Sequence, residues 1–375
     1  MKTVVASAIG VLLVAAVVAQ DRPRARDLGI APGAGTPGAL NAITDVPDVR
    51  VGQTTLIDGD RVRTGVTTVL PHGGNLFRDK VPGAVFIGNA FGKLAGSTQV
   101  RELGTIESPI VLTNTLAVGT AVEAVVRWTL AQEGNENVRS VNALVGETND
   151  GGLNDIRSLP VTREHVIASI TSAASGPVAE GAVGAGTGTI AFGWKGGIGT
   201  ASRVVQQGAQ GPSWTVGVLV QSNFGGRLTI DGRQIWRTLT PGRAGGASTT
   251  WAQDADGSCM IIVATDAPLD ARDLERLAAR AVFAMARTGS TFSNGSGDYA
   301  IAFSTATVNR VNAANGPQAR SFLPTDAVSG LFEAAMDATE EAIYNSLLKA
   351  TDTTANGRTV RALPLEALKL LRIED

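Results

Sequence analysis

The sequence predicts an α/β protein in which helices cover the outside of paired sheets. Two stretches of short strands and turns each run into amphipathic helical patterns, and a Gly-dense strand region lies between them. Hydrophobic residues make up 43% of the 375 residues and charged residues 18%, so the chain can build a large core. No shift in composition marks a domain boundary. We therefore expect one layered domain, with helices outside two sheets.

The first twenty residues, MKTVVASAIGVLLVAAVVAQ, have the pattern of a secretory signal peptide. One lysine precedes an apolar core that ends in small residues, so cleavage is expected after Ala19. The alternative is a membrane anchor, but the apolar run from Val11 to Ala19 is shorter than the ~20 residues that span a bilayer. We therefore expect residues 1–19 to be a signal peptide and the mature protein to be periplasmic or secreted, with no stable membrane anchor.

Charge and residue counts disfavour several kinds of site. The net charge is −2 without a dense Lys/Arg cluster, which argues against nucleic acid as a partner. Two histidines and one cysteine make a conventional zinc site improbable and rule out an internal disulfide, so we expect no metal and no cofactor. The stretch GAVGAGTGT has glycine spacing similar to a dinucleotide loop but lacks the strand–helix unit around it, and the Walker pattern is absent.

Strands and turns alternate in the first half of the chain. The strand-like runs are VRVGQTTLI, TGVTTVLP, GAVFIGN and PIVLTNT. The stretch AVGTAVEAVVRWTLAQEG then predicts a helix, because apolar residues from Val118 to Trp128 follow the 3.6-residue period and Gly134 can stop it. Residues 182–230 are expected to hold further strands.

The C-terminal part predicts two helices around one strand. Asp270 is a candidate N-cap, and Leu269 and Leu274 are spaced for a hydrophobic staple, so one helix should extend toward Gly289. The run DYAIAFSTATV predicts the strand. A second long helix is expected over about residues 325–349, since the apolar residues Leu331, Ala335, Ile343 and Leu347 recur on one face.

The stretch DADGSCMIIVATDAP places Gly257 and Ser258 directly before an apolar run. A turn explains the glycine but not a serine at the first position of a buried strand. If the bond between them were cut, Ser258 would carry a free α-amine with an unperturbed pKa of about 7.7–8.0. That amine could accept the proton of the Ser258 hydroxyl, and Gly257 tolerates the strained backbone of an N-to-O acyl shift. From these residues alone, a turn before a strand remains the simpler interpretation.

Neither histidine has a neighbour typical of a catalytic base. His72 lies in LPHGG and His165 in TREHVI, and neither serves a recognisable nucleophile motif. Both are expected at the surface or at strand ends.

Seven ordered blocks carry a resemblance to a known family. They are ITDVPDVRVGQTTL, GNAFGKLAGSTQVRELGTIESPIVLTNTLAVGTA, VGETNDGGLNDI, GTGTIAFGWKGGIGTASRVV, LVQSNFGGR, GSCMIIVATDAPLDARDLERLAARA and RTGSTFSNGSGDYAIAFSTA. Over about residues 40–370 the chain resembles the L-aminopeptidase/D-Ala-esterase-amidases and β-peptidyl aminopeptidases. The resemblance implies a four-layer αββα sandwich similar to the N-terminal-nucleophile hydrolases, with different strand connectivity. It also implies a homo-oligomer, with a tetramer expected.

The resemblance implies that the precursor cuts itself between Gly257 and Ser258. The products would be an α chain of residues 20–257 and a β chain of residues 258–375, which stay associated. Ser258 would then be the nucleophile.

Four further site residues follow from the same resemblance. Ser296 and Asp298, in NGSGDYAIAF, would hold and polarise the amine and hydroxyl of the nucleophile. Asn223, in QSNFG, would donate to the oxyanion. Glu147, in VGETNDGG, would bind the free amine of the substrate. From spacing alone, the first three remain candidate turn residues and Glu147 a candidate surface charge.

Two positions depart from the family pattern. Gln53 stands where many relatives are expected to carry a histidine, and it should touch no chemistry. Gly152 stands where some relatives carry a pocket-lining aromatic residue, which would make this pocket wider or wetter.

The resulting functional hypothesis is an exported, self-processing serine aminopeptidase or amidase that acts on short peptides, amides or esters with a free amine. The first alternative is an acyl transferase similar to ornithine acetyltransferases, which would be expected to use threonine at the new N-terminus and to lack a signal peptide. The second is a catalytically silent secreted binding protein on the same scaffold.

Overall fold

The computed structural model describes residues 22–208, 210–241, 257–312, 316–366 and 368. The predicted signal peptide therefore lies outside the described residues. Within these ranges, no helix is both long enough and apolar enough to cross a membrane.

The described ranges form five α-helices and sixteen strands. The helices are α1 Ser97–Leu103, α2 Val118–Leu130, α3 Arg163–Thr171, α4 Ala271–Arg287 and α5 Ser329–Leu348. The strands are β1 Arg50–Asp58, β2 Val62–Leu70, β3 Asp79–Ala90, β4 Leu94–Ala95, β5 Thr105–Ile106, β6 Ile110–Asn114, β7 Leu144–Thr148, β8 Ile190–Ala191, β9 Trp194–Lys195, β10 Gly197–Gln206, β11 Ser213–Asn223, β12 Ser258–Thr265, β13 Gly297–Ser304, β14 Val311–Asn312, β15 Thr353–Ala355 and β16 Arg358–Val360.

Two sheets carry the fold. The first sheet has the strand order β1-β2-β6-β7-β4, and the second has the order β10-β11-β12-β13-β3-β14, with β5 paired to β3. The pairs β6–β7 and β12–β13 are parallel, whereas β10–β11, β11–β12 and β13–β3 are antiparallel. The predicted strand runs of the first half correspond to β1, β2, β3 and β6.

The two sheets face each other across an apolar layer. Leu112 and Leu144 of the first sheet belong to the same buried cluster as Met260, Ile262 and Ile301 of the second. Helices α2 and α3 pack on the outer face of the first sheet, and α4 and α5 pack on the outer face of the second. Strands β12 and β13 are buried at every residue because both of their faces are covered. The layer order is αββα, and the predicted fold class is confirmed.

Helix α4 has the start that the sequence predicts. The carboxylate of Asp270 accepts a hydrogen bond from the Asp273 N–H at 2.8 Å, which satisfies one donor of the first turn. Leu269 and Leu274 are both buried, as a hydrophobic staple requires. Gly289 follows the helix end with a φ of +96°.

The other two predicted helices differ from expectation only at their ends. Helix α2 ends at Leu130, and Gly134 lies in the turn that follows. Helix α5 begins at Ser329 because a separate 3₁₀ turn, Thr325–Ala327, occupies the expected first residues.

The two histidines lie in different parts of the fold, one in the loop after β2 and one in α3. His72 follows the end of β2, but it is buried rather than exposed: its Nε2 donates to the Asp79 carbonyl at 2.7 Å, and its Nδ1 accepts from the Gly74 N–H at 3.0 Å. Burial lowers the pKa of His72, which favours the neutral ring. His165 lies in the first turn of α3, where its Nδ1 accepts from the Thr162 N–H at 3.1 Å.

Candidate active site

Three strand ends of the second sheet meet at one edge. Asn223 is the last residue of β11 and stands opposite Ser258, the first residue of β12. Ser258 in turn pairs with Gly297, the first residue of β13. Because β12 and β13 are parallel and β11 is antiparallel to β12, the end of one strand and the starts of two others share this edge. The sheet register therefore brings Ser296 and Asp298 beside Ser258.

Ser258 is the first residue of β12 and is buried, as the apolar run after it predicts. Its Oγ accepts a hydrogen bond from the Gly297 N–H at 3.2 Å, and the same N–H lies 3.2 Å from the Gly257 carbonyl oxygen. A Cβ at position 257 would lie 2.1 Å from the Asn223 carbonyl oxygen. A side chain there would force the strand ends apart, which explains the glycine of the Gly-Ser pair.

The alternation along β12 decides which way the serine side chain faces. Cys259 packs with Ile261 in the core beneath α4 and α5, whereas Met260 packs between the two sheets. Since successive side chains of a strand point to opposite faces, Ser258 shares the inner face with Met260. The chain's single cysteine is fully buried, and burial raises the pKa of its thiol, so it is poorly suited to act as a nucleophile.

Asp298 is a buried carboxylate with one unused oxygen. Its Oδ1 accepts from the Ser296 hydroxyl at 2.8 Å, and the Cys259 N–H also donates to the carboxylate. Its Oδ2 is buried and has no hydrogen-bond partner in the described part of the chain. Burial raises the pKa of Asp298 to about 6, and the hydrogen bonds from Ser296 and Cys259 oppose that shift. The site therefore has an acceptor available next to the start of β12.

The Asn223 carboxamide has a defined orientation. Its Oδ1 accepts from the Ile190 N–H at 2.9 Å, and its Nδ2 donates to the Asn149 carbonyl oxygen at 3.0 Å. A main-chain N–H can only donate and a carbonyl can only accept, so the two ends of the amide cannot be exchanged. One Nδ2 hydrogen remains for a ligand at the sheet edge. Asn223 is thus held as an oriented donor rather than as a simple turn residue.

Glu147 enters the site from the first sheet, near the end of β7. It is 2% exposed, so the interpretation as a surface charge is wrong. Its Oε1 accepts from the Lys93 N–H at 3.0 Å, and the Thr115 hydroxyl donates to its Oε2. A Cβ on Gly92 would lie 3.3 Å from Glu147 Oε1 and 3.3 Å from the Gly297 Cα. The Glu147 carboxylate therefore lies across a single glycine from the edge that holds Ser258.

The structure adds site residues that sequence reasoning missed. Thr115, Lys93 and Gly92 surround Glu147, and the Tyr299 hydroxyl donates to the Gly92 carbonyl oxygen at 3.0 Å. The available signal was that Thr115 directly follows a buried strand parallel to β7, where polar residues of both strands reach one edge. Lys93 and Gly92 carry no local signal, because they contact Glu147 through the tertiary fold alone.

The two departures from the family pattern lie in different places. Gln53 is on the edge strand β1, where its Nε2 donates to the Ala179 carbonyl oxygen at 3.1 Å. Gly152 is exposed, and a Cβ on it would lie 2.9 Å from Ile190 Cδ1. Position 152 therefore borders the segment that orients Asn223.

No group of three or more His, Cys, Asp or Glu side chains suited to a metal ion occurs among the described residues. The groups available at this edge are the hydroxyls of Ser258 and Ser296, the Asp298 carboxylate, the Asn223 carboxamide and the Gly297 N–H.

Residues 41–360 match the family model described as peptidase family S58. The chain belongs to peptidase family S58. As a member of this peptidase family the chain is a hydrolase. The aminopeptidases among its relatives support aminopeptidase activity. The resemblance drawn from the seven sequence blocks is confirmed.

Relatives of known sequence and structure agree with this assignment. The chain is 44% identical to the β-peptidyl aminopeptidase of Sphingosinicella microcystinivorans, over 96% of this chain and 94% of that protein. A β-aminopeptidase from a Burkholderia species superposes with a TM-score of 0.84 at 39% identity, covering 94% of this chain and 98% of that one.

A third relative bears on the fold. The L-aminopeptidase D-Ala-esterase/amidase of Ochrobactrum anthropi superposes with a TM-score of 0.85 at 37% identity, covering 94% of this chain and 99% of that one. That protein is described as a prototype of the serine aminopeptidases and as a new variant of the Ntn hydrolase fold.

Proposed function

We propose that this family S58 member is an exported, self-processing serine aminopeptidase that releases N-terminal residues from short peptides, amides or esters with a free amine. One observation carries the proposal. Ser258 begins a buried strand, opposite the oriented Asn223 amide and beside the Asp298 carboxylate, whose Oδ2 has no donor among the residues that the structure describes. A new α-amine on Ser258 would supply such a donor.

Self-cleavage would proceed by an N-to-O acyl shift. The Ser258 Oγ attacks the Gly257 carbonyl carbon, the Oγ–C bond forms and the C–N bond breaks, and the nitrogen takes up the hydroxyl proton. Water then hydrolyses the ester, which leaves a carboxylate on Gly257 and restores the hydroxyl. The Gly297 N–H, which lies 3.2 Å from the Gly257 oxygen, would stabilise the negative charge on that oxygen during attack.

In the processed enzyme the α-amine of Ser258 would replace a histidine as base. It takes the proton from the Ser258 Oγ as the oxygen attacks the substrate carbonyl, and it returns the proton to the leaving amine or alcohol. The free N–H of Asn223 Nδ2 would donate to the oxyanion. Asp298 would hold the ammonium form through its Oδ2, with Ser296 fixing the other carboxylate oxygen at 2.8 Å.

Glu147 would confine the reaction to substrates with a free amine. Its carboxylate is buried and already accepts from two neighbours, which fixes its position. An α-ammonium placed against it would form a charge-assisted hydrogen bond, whereas an acylated amine would lose that charge. The two alternatives are weaker here: the nucleophile position carries serine rather than threonine, and a silent binding protein gives no reason for an oriented amide beside an unpaired carboxylate oxygen.

A panel of aminoacyl-p-nitroanilides of both configurations, with β-aminoacyl members, tests this function. We expect hydrolysis of members with a free amine and none of their N-acetylated counterparts.

Glu147→Gln should raise KM by about tenfold or more with a smaller change in kcat, because a hydrogen bond to a charged group contributes about 1.5–3 kcal/mol. Glu123→Gln, which removes an exposed carboxylate paired with Arg127 on α2, is the matched control and should leave both constants unchanged. Equal hydrolysis of N-acetylated substrates would contradict the proposal.

Asp298→Asn should change how the rate depends on pH. In the wild-type enzyme kcat/KM should rise with pH as the Ser258 α-amine loses its proton. A nearby carboxylate stabilises the ammonium and raises the pKa of the amine, so its neutral replacement should move the inflection to lower pH. We also expect a loss of rate, because the amine that acts as base loses the group that orients it. The measurement is kcat/KM against pH on material already cleaved into two chains.

The control for this profile is His165→Ala, which removes an imidazole from the outer helix layer. It should keep the wild-type inflection. A lost inflection in His165→Ala, or an unchanged one in Asp298→Asn, would contradict the assignment of the base.

A further inference from the structure

A buried lysine lies behind the Asn223 amide. Lys195 has no exposed surface, and its Nζ donates to the carbonyl oxygens of Gly186 at 2.9 Å, Thr189 at 3.0 Å and Gly196 at 2.8 Å. An ammonium has three N–H donors, so all three are used. Burial of such a group is unfavourable unless it is fully hydrogen-bonded. The three bonds join the end of the segment 186–196, where Lys195 lies, to its start at Gly186 and to Thr189.

One of these bonds leads directly to the candidate oxyanion donor. The Thr189 carbonyl, which accepts from Lys195, and the Ile190 N–H, which donates to Asn223 Oδ1 at 2.9 Å, belong to the same peptide group. The ammonium, this peptide group and the Asn223 carboxamide therefore form one chain of hydrogen bonds. Every donor in it points the same way, from Nζ toward Asn223 Nδ2. Such chains polarise one another, and a positive charge at the start strengthens the last donor.

The second anchor of the amide lies close to the same lysine. Asn223 Nδ2 donates to the carbonyl of Asn149, and the next residue, Asp150, is the carboxylate that acts electrostatically on Lys195. Burial lowers the pKa of Lys195 to about 7, and Asp150 opposes that shift. Burial raises the pKa of Asp150 to about 6, against hydrogen bonds from Thr64 and Asn154. The two hydrogen bonds of the Asn223 amide are thus made by Ile190 and Asn149, and the segments that hold these residues meet where Lys195 and Asp150 are buried.

We propose that Lys195 is a positioning residue, which fixes and polarises the Asn223 amide through the Thr189–Ile190 peptide group. The inference rests on the role of Asn223 as oxyanion donor in the proposed function. Lys195 touches neither substrate nor the reacting hydroxyl, so its effect should be confined to steps that develop charge on the oxyanion.

The test compares Lys195→Met with the wild-type enzyme on the hydrolysed p-nitroanilide. We expect kcat to fall about tenfold or more while KM changes by less than about threefold. The loss of kcat should not exceed the ~10²–10³ that removal of an oxyanion donor costs. The effect should disappear in the Asn223→Ala background, where Lys195→Met should change kcat by less than about twofold, because residues that act through one another are not additive. Where a variant cleaves itself slowly, the first-order rate of precursor conversion replaces kcat as the readout.

A purely structural lysine would give a different result. In that case Lys195→Met would lower the melting temperature and the folded fraction. Its effect on kcat would then add fully to that of Asn223→Ala, and this result would overturn the proposal. If Lys195→Met does not fold, Ile190→Pro keeps the lysine and removes the N–H that bonds Asn223, and it should show the same loss of kcat and the same coupling. Additive kinetics in both variants would refute the link. A wild-type protein that neither cleaves itself nor hydrolyses any member of the panel would instead refute the proposed function.

Discussion

Ser258→Ala should leave a single uncut chain without aminopeptidase activity. The acyl shift has no hydroxyl with which to attack Gly257, and the mature reaction has no nucleophile. Purified wild-type protein should instead show two chains on a denaturing gel, the smaller one covering residues 258–375 and beginning Ser-Cys-Met-Ile. Gel mobility, N-terminal sequencing and the p-nitroanilide assay together measure the result. We expect no activity above background in the variant.

The matched control is Cys259→Ala, one residue further along β12. It removes a buried thiol that packs beneath α4 and α5, on the opposite face of β12 from the Ser258 side chain. We expect this variant to be cleaved and to keep most of its activity, with a modest loss of stability from the lost buried volume. A wild-type smaller chain with any other first residue, or an active and cleaved Ser258→Ala protein, would eliminate the mechanism.

Asn223→Ala should lower kcat by about 10²–10³ with little change in KM, because its amide would donate to charge that develops only in the transition state. The variant also leaves the Ile190 N–H and the Asn149 carbonyl without their partner. The rate should therefore be measured on protein shown to be folded by its melting curve and to be cleaved on a gel.

Asn135→Ala is the control for the loss of a buried amide as such. Asn135 is buried, and its Nδ2 donates to the Thr129 carbonyl at 2.7 Å near the end of α2. Its removal should cost stability of about 1–3 kcal/mol and leave kcat unchanged. If kcat of Asn223→Ala stays within about threefold of wild type, Asn223 is not an oxyanion donor and the inference on Lys195 fails with it.

Local features of this protein could be predicted from the sequence because each depends on residues close together in the chain. Asp270 caps α4 through a hydrogen bond that spans three residues, and the apolar run after Ser258 forms a strand covered on both faces. The order of seven motif blocks was enough to assign the family, since it does not depend on geometry. Element ends were less certain, as the 3₁₀ turn before α5 shows, because single turns have competing hydrogen-bond patterns of similar energy.

The assembly of the site was decided by the tertiary structure. The sheet register sets Ser258 between Asn223 and Gly297, and packing of the two sheets brings in Glu147. No local propensity encodes such contacts, because they join residues far apart in the chain whose positions depend on the whole fold. The burial of Lys195 is the clearest case. In the sequence it is one lysine among glycines, and only the folded segment turns three carbonyls toward its ammonium.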